Sequence, residues 1–123
     1  MKRFRIGFTS VTFREKTPEE ICKIAKKNEV DCIEWGTDVH VPTPEAAREV
    51  RRLCDELGKT VILVLHEINY AASYSDYICA FKDGKIAKFG TVEEVMTKDV
   101  LSEIYGVDFE IMNIRDKPLC IYY

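Results

Sequence analysis

The sequence predicts a single three-layer α/β domain whose sheet is mainly parallel, with antiparallel hairpin additions toward the C-terminus. Three observations predict it. Strand and helix patterns alternate through the first half at a spacing of roughly 27 residues, which is βαβ organisation. Val61-Ile62-Leu63-Val64-Leu65 is a continuous apolar run without polar alternation, the pattern of a central parallel strand covered on both faces. Asp83-Gly84, between the apolar stretches Tyr77 to Phe81 and Lys85 to Phe89, is the strongest hairpin signal in the chain.

The elements follow in order. Phe4, Ile6 and Phe8 alternate with Arg5 and Gly7, so a first strand begins near Phe4. Thr17-Pro18-Glu19-Glu20 is a helix start, with Thr17 as N-cap, Pro18 in the first helical position and Glu20 closing a capping box. Ile21, Ile24 and Ala25 form that helix's buried stripe. Cys32-Ile33-Glu34-Trp35 reads as a second strand, leading into the loop from Gly36 to Pro42. Thr43-Pro44-Glu45 repeats the cap logic for a helix that Gly58 stops. A short helix through Ile68, Ala71 and Ala72 follows the apolar strand. Thr91-Val92-Glu93-Glu94 is another capping box, opening a helical stretch that runs to Tyr105 and stops at Gly106. Val107, Phe109 and Ile111 alternate, and Leu119 to Tyr122 pairs with them as a terminal hairpin.

Composition excludes several function classes. The chain has 123 residues, 46% apolar and 32% charged, the balance of an ordinary globular protein. A net charge of −3 gives no general attraction to nucleic acid or anionic membrane. No apolar run approaches the roughly 20 residues that span a bilayer, and the basic start from Met1 lacks the apolar stretch of a signal peptide. The five cysteines are scattered and odd in number, which suits reduced, mostly buried thiols in the cytoplasm. The expectation is a cytoplasmic protein with no nucleic-acid and no membrane partner.

Two family resemblances sit side by side. Ile6-Gly7-Phe8-Thr9, the Thr17 to Glu20 helix start and Ile33-Glu34-Trp35-Gly36 with Asp38-Val39-His40-Val41-Pro42 resemble the sugar-phosphate isomerase/epimerase family, a TIM barrel, over residues 4 to about 57. The second resemblance begins at Lys59-Thr60-Val61-Ile62-Leu63-Val64-Leu65-His66-Glu67-Ile68-Asn69. It continues through Lys82-Asp83-Gly84-Lys85-Ile86, Gly90-Thr91-Val92-Glu93-Glu94-Val95 and Tyr105-Gly106-Val107. This part resembles the tail of an ATP-binding cassette protein of the iron-siderophore and cobalamin import type. The pair implies one chimeric domain over residues 1–123. Residues 1–57 would supply βαβα from the barrel, and residues 58–123 βαββα plus terminal strands from the cassette. The seam cannot be placed within the shared helix before Gly58.

What the resemblances imply about chemistry is mostly missing from this stretch. A cassette holds nucleotide phosphates on a G-x-x-x-x-G-K-[ST] loop, and that loop, the L-S-G-G-Q-type signature and the Asp-Glu strand end are not among these residues. His66 resembles the switch histidine that senses the γ-phosphate. In the isomerase family most metal ligands come from later barrel units, so Glu34 and His40 would stand alone. The expectation is therefore an engineered or recombined scaffold, not an enzyme, with no catalytic residues and no cofactor. Two alternatives stay open. Glu34, His40 and His66 could hold a metal or phosphate weakly at the strand ends, or the chain could form a homodimer through an exposed sheet edge.

Overall fold

The computed structural model describes residues 3–122. The backbone divides into two compact units, one ending at Val64 and the other starting at Leu65, each with its own apolar core.

The first unit runs β1 (Gly7–Thr9), a 3-10 turn (Ser10–Phe13), α1 (Pro18–Lys27), β2 (Cys32–Glu34), α2 (Pro44–Glu56) and β3 (Thr60–Ile62). The strands form a parallel sheet in the order β1-β2-β3, with Ile33 opposite Phe8 on one side and Val61 on the other. Both helices start as their sequences require. Thr17 accepts from the Glu20 N–H while the Glu20 carboxylate accepts from the Thr17 N–H at 2.8 Å, closing the capping box. Thr43 accepts from the Ala46 N–H at 3.2 Å. The stripe Ile21, Cys22 and Ala25 of α1 and the residues Val50 and Cys54 of α2 bury into a core completed by Ile33 and Trp35. Each large apolar side chain so buried contributes about 1.5–3 kcal/mol.

Two strand expectations need correction. The run from Val61 to Leu65 is not a central strand: β3 ends at Ile62 and lies at an edge of the sheet. Ile62 and Val64 are 43% and 59% exposed. A continuous apolar run reports side chains suited to burial on both faces, but it cannot supply the neighbouring strands that would cover them. The first strand starts at Gly7 rather than Phe4. The Ile6 carbonyl and N–H are both held by Asp31, through its backbone at 2.8 Å and its carboxylate at 2.9 Å, while the Phe4 ring stays exposed.

The second unit runs α3 (Ile68–Tyr74), β4 (Tyr77–Lys82), β5 (Lys85–Thr91), α4 (Val92–Val95), α5 (Lys98–Tyr105), β6 (Phe109–Ile114) and β7 (Lys117–Tyr122). Asp83 and Gly84 take φ of 51° and 73°, the left-handed pair that a two-residue hairpin turn needs. Arg115 and Asp116, at 50° and 63°, make the same connection between β6 and β7 without glycine. The single helix expected from Thr91 to Tyr105 is two: α4 follows the Thr91–Glu94 capping box, and Thr97 caps α5 by accepting from the Val100 N–H. Thr97 competes for the backbone as a cap does, which the apolar spacing alone conceals. Ala72, Ile78, Val92, Val95, Met96, Leu101, Phe109 and Cys120 form the core.

The fold is thus mixed α/β, with a parallel three-stranded sheet and antiparallel hairpins toward the C-terminus, as predicted. The hairpins are separate two-stranded sheets rather than extensions of the parallel one. No helix among the described residues is long and apolar enough to cross a membrane.

Candidate functional site

In the first unit the polar residues that look reactive are bound into the structure. The loop after β2 folds back on Gly36, whose carbonyl accepts from the His40 N–H at 3.0 Å. A Cβ on Gly36 would collide with Val11 Cγ2, so the close approach of this loop to the 3-10 turn requires glycine. The Gly36 N–H donates to Ser10 Oγ at 3.0 Å, and Ser10 Oγ lies 2.9 Å from His40 Nδ1. His40 Nε2 is 3.1 Å from the Lys16 carbonyl, which can only accept. In the neutral imidazole the proton then sits on Nε2, and Nδ1 accepts from the serine hydroxyl. Ser10 is fully buried and His40 7% exposed, with the Trp35 ring edge-on to the imidazole at 6.0 Å. Both imidazole nitrogens are occupied, so His40 is a fastener between the 3-10 turn and the β2 loop.

Glu34, the last residue of β2, is half-buried and accepts a hydrogen bond from Thr9 Oγ1 on the neighbouring strand. Burial pushes the Cys54 thiol up to about 12, with Cys22 beside it adding to the effect, and burial also raises Cys22. Neither is a nucleophile at neutral pH.

The second unit presents its histidine differently. His66 is exposed, just ahead of α3. Glu67 caps α3, its two carboxylate oxygens accepting from the Asn69 and Tyr70 N–H groups at 2.9 Å each. Asn69 then reaches β7: its Nδ2 donates to the Cys120 carbonyl at 3.0 Å and its Oδ1 accepts from the Cys120 N–H at 2.7 Å. Sequence reasoning missed this tie, and the partners lie 51 residues apart with no local signal. Beside His66 and Glu67 opens a cleft of about 370 Å³, walled by Tyr105, Phe109 and Tyr122. Burial pushes the Tyr105 phenol up, with Cys120 and then the Glu67 carboxylate adding to it.

Among the described residues no group of three or more His, Cys, Asp or Glu side chains is placed to hold a metal ion. The proposed set of Glu34, His40 and His66 is not such a group: the Glu34 carboxylate accepts from Thr9, and both ring nitrogens of His40 are bonded within the first unit.

The fold is shared with a class of transport proteins. A chain from a transporter assigned to the metal-chelate ABC type, in an inward-facing conformation, superposes with a TM-score of 0.56 over 90% of this chain and 48% of that one. Sequence identity there is 12%, so this likeness speaks for the fold alone. In sequence, a 73-residue stretch is 49% identical to the petrobactin import ATP-binding protein FatE of Bacillus anthracis, covering 59% of this chain and 29% of that protein. The petrobactin import ATP-binding protein YclP of Bacillus subtilis is 43% identical over 79 residues, 64% of this chain and 31% of the relative. The iron(3+)-hydroxamate import ATP-binding protein FhuC of the same organism is 42% identical over 74 residues, 58% and 28% of the two chains. The chain spans less than a third of the length of these relatives. No protein-family model matches it.

The C-terminal part is therefore similar to ABC transporter ATP-binding proteins. Nothing in these relatives supports the isomerase/epimerase resemblance of residues 4 to about 57. They also overturn the expectation of an engineered or recombined scaffold that is not an enzyme and has no native activity, because they are natural bacterial ATP-binding proteins. The physical reason is plain. A nucleotide site in an α/β fold gathers groups from segments far apart in sequence, and this chain matches under a third of such a protein. The phosphate loop, the signature and the Asp-Glu strand end can all lie in the remaining two thirds, so their absence from one stretch does not exclude activity. The expectation of no membrane partner is in tension with these relatives, which are named as import ATP-binding proteins.

Proposed function

We propose that this chain carries the C-terminal, phosphate-sensing portion of the ATP-binding subunit of a bacterial iron-chelate importer, and that His66 is its γ-phosphate contact. The 49% identity over 73 residues to a petrobactin import ATP-binding protein carries the reading. The exposure of His66 supports it, since an imidazole that must meet a phosphate cannot be fastened inside as His40 is. The nucleotide-cradling loop then comes from sequence outside these 123 residues, and His66 supplies one polar contact to the terminal phosphate. The open edge of β3, with Ile62 and Val64 exposed, is where a second copy would add a strand; sedimentation across a concentration series reads that association.

The test is a segment replacement. Residues 59–123 are put in place of the matching segment of the Bacillus subtilis relative, and ATP hydrolysis is measured. The hybrid hydrolyses ATP, and His66→Ala in it lowers turnover by about 10²-fold, the scale of losing one charge-stabilising donor. A folded hybrid without hydrolysis, or one indifferent to His66→Ala, overturns the reading.

A further inference from the structure

The cleft beside α3 carries an inference that does not depend on nucleotide binding. Its walls are aromatic. Phe109 is 3% exposed and forms the floor, while Tyr105 and Tyr122 are 53% and 56% exposed and form the sides. The ring centroids of Tyr105 and Tyr122 lie 5.5 and 5.6 Å from that of Phe109, each tilted by 58°, so the three rings bracket a concave space rather than stack shut. The lining also holds one carboxylate, Glu67, and one imidazole, His66, and among the described residues no lysine or arginine. Burial raises both the Tyr105 phenol and the Cys120 thiol, and the Glu67 carboxylate adds to each.

Aromatic faces carry negative potential, and a cation within about 6 Å of a ring centroid gains about 0.5–2 kcal/mol depending on desolvation. Three rings stand beside the Glu67 carboxylate, which also caps α3, and the surface of the cleft is mostly carbon. We infer that this cleft is a binding site for an organic cation, an alkylammonium or guanidinium group held between Tyr105 and Tyr122 over Phe109, with Glu67 as its counter-charge. A simple metal ion does not suit it, because one carboxylate already committed to capping α3 cannot replace a hydration shell. A plain apolar ligand would leave the charge of Glu67 unused.

The test titrates the 123-residue chain with choline chloride and follows the Tyr105 and Tyr122 ring protons by NMR. Sodium chloride is the control for ionic strength, and 3,3-dimethylbutan-1-ol is the uncharged isostere. Choline gives saturable shifts at both rings, and the isostere binds about tenfold more weakly. Tyr122→Phe keeps the binding and Tyr122→Leu loses it, with the β6–β7 amide resonances reporting that the hairpin is intact. Glu67→Gln, which leaves a carbonyl to cap α3, weakens choline severalfold and leaves the isostere unchanged. Titration with Nα-acetylarginine amide separates the sources: tighter binding than choline assigns the cleft to a partner's side chain, weaker binding to a free small molecule. Equal affinity for choline and its isostere, or shifts that sodium chloride reproduces, overturns the proposal.

Discussion

The two units treat a histidine and its surroundings in opposite ways. In the first, His40 is buried with both ring nitrogens bonded, to Ser10 Oγ and to the Lys16 carbonyl, and it lies against Trp35. Ser10 and His40 are the buried polar residues among those described, and both belong to this unit. In the second unit the core cluster is built of apolar side chains, with His66 exposed, Glu67 capping α3 and Asn69 bridging to β7. A polar group removed from water must find partners inside the fold, because leaving it unpaired costs about 1–3 kcal/mol. Once it has them it is no longer available to a ligand. The first unit thus uses His40 to hold itself together, while the second leaves His66 facing solvent.

Substitutions sharpen that contrast. The largest effect is expected at Trp35, fully buried in the first core. Trp35→Ala costs about 3–5 kcal/mol, and urea denaturation followed by circular dichroism measures it. A loss below about 1 kcal/mol would mean that the first core does not depend on its largest member. The next is a matched pair. His40→Ala costs about 1–3 kcal/mol because Ser10 Oγ and the Lys16 carbonyl lose their partner, whereas His66→Ala changes stability by less than about 0.5 kcal/mol. Equal costs in the same denaturation experiment would erase the distinction between the two histidines.

The smallest effect is a pH dependence at the start of the first unit. The Ile6 N–H, with Arg3 contributing, holds the Asp31 carboxyl below its ordinary value. A depressed carboxylate stabilises above its unfolded pKa of about 3.9 and loses that contribution as pH falls through the folded value. Hydrogen exchange at Ile6 therefore accelerates as pH drops below about 4 relative to other amides, and Asp31→Asn removes that acid dependence while leaving Ile6 less protected at neutral pH.

Local chemistry in the sequence was legible where a few adjacent residues decide the outcome. The Thr17–Glu20 and Thr91–Glu94 capping boxes, the Asp83-Gly84 turn and the stop at Gly106, with φ 73°, all form. Features that need a distant partner were not legible. The apolar run ending at Leu65 looks central because its composition suits two covered faces, yet β3 is an edge. Glu34, His40 and His66 could be singled out as residue types, but only the folded chain shows that Ser10, 30 residues before His40, takes its Nδ1. The aromatic cleft joins residues from both ends of the second unit, which no local pattern brings together.

The tie between Asn69 and Cys120 has a consequence for aggregation. An outer strand offers free N–H and C=O groups on which another chain can template itself, and long, flat, apolar edges are the most hazardous. At Cys120 both of those groups on β7 already face the Asn69 amide, whose donor and acceptor mimic one residue of a neighbouring strand. A single side chain from α3 thus stands where an invading strand would make its first pair of hydrogen bonds, and the apolar end of the β6–β7 hairpin is guarded against runaway pairing at the cost of one asparagine.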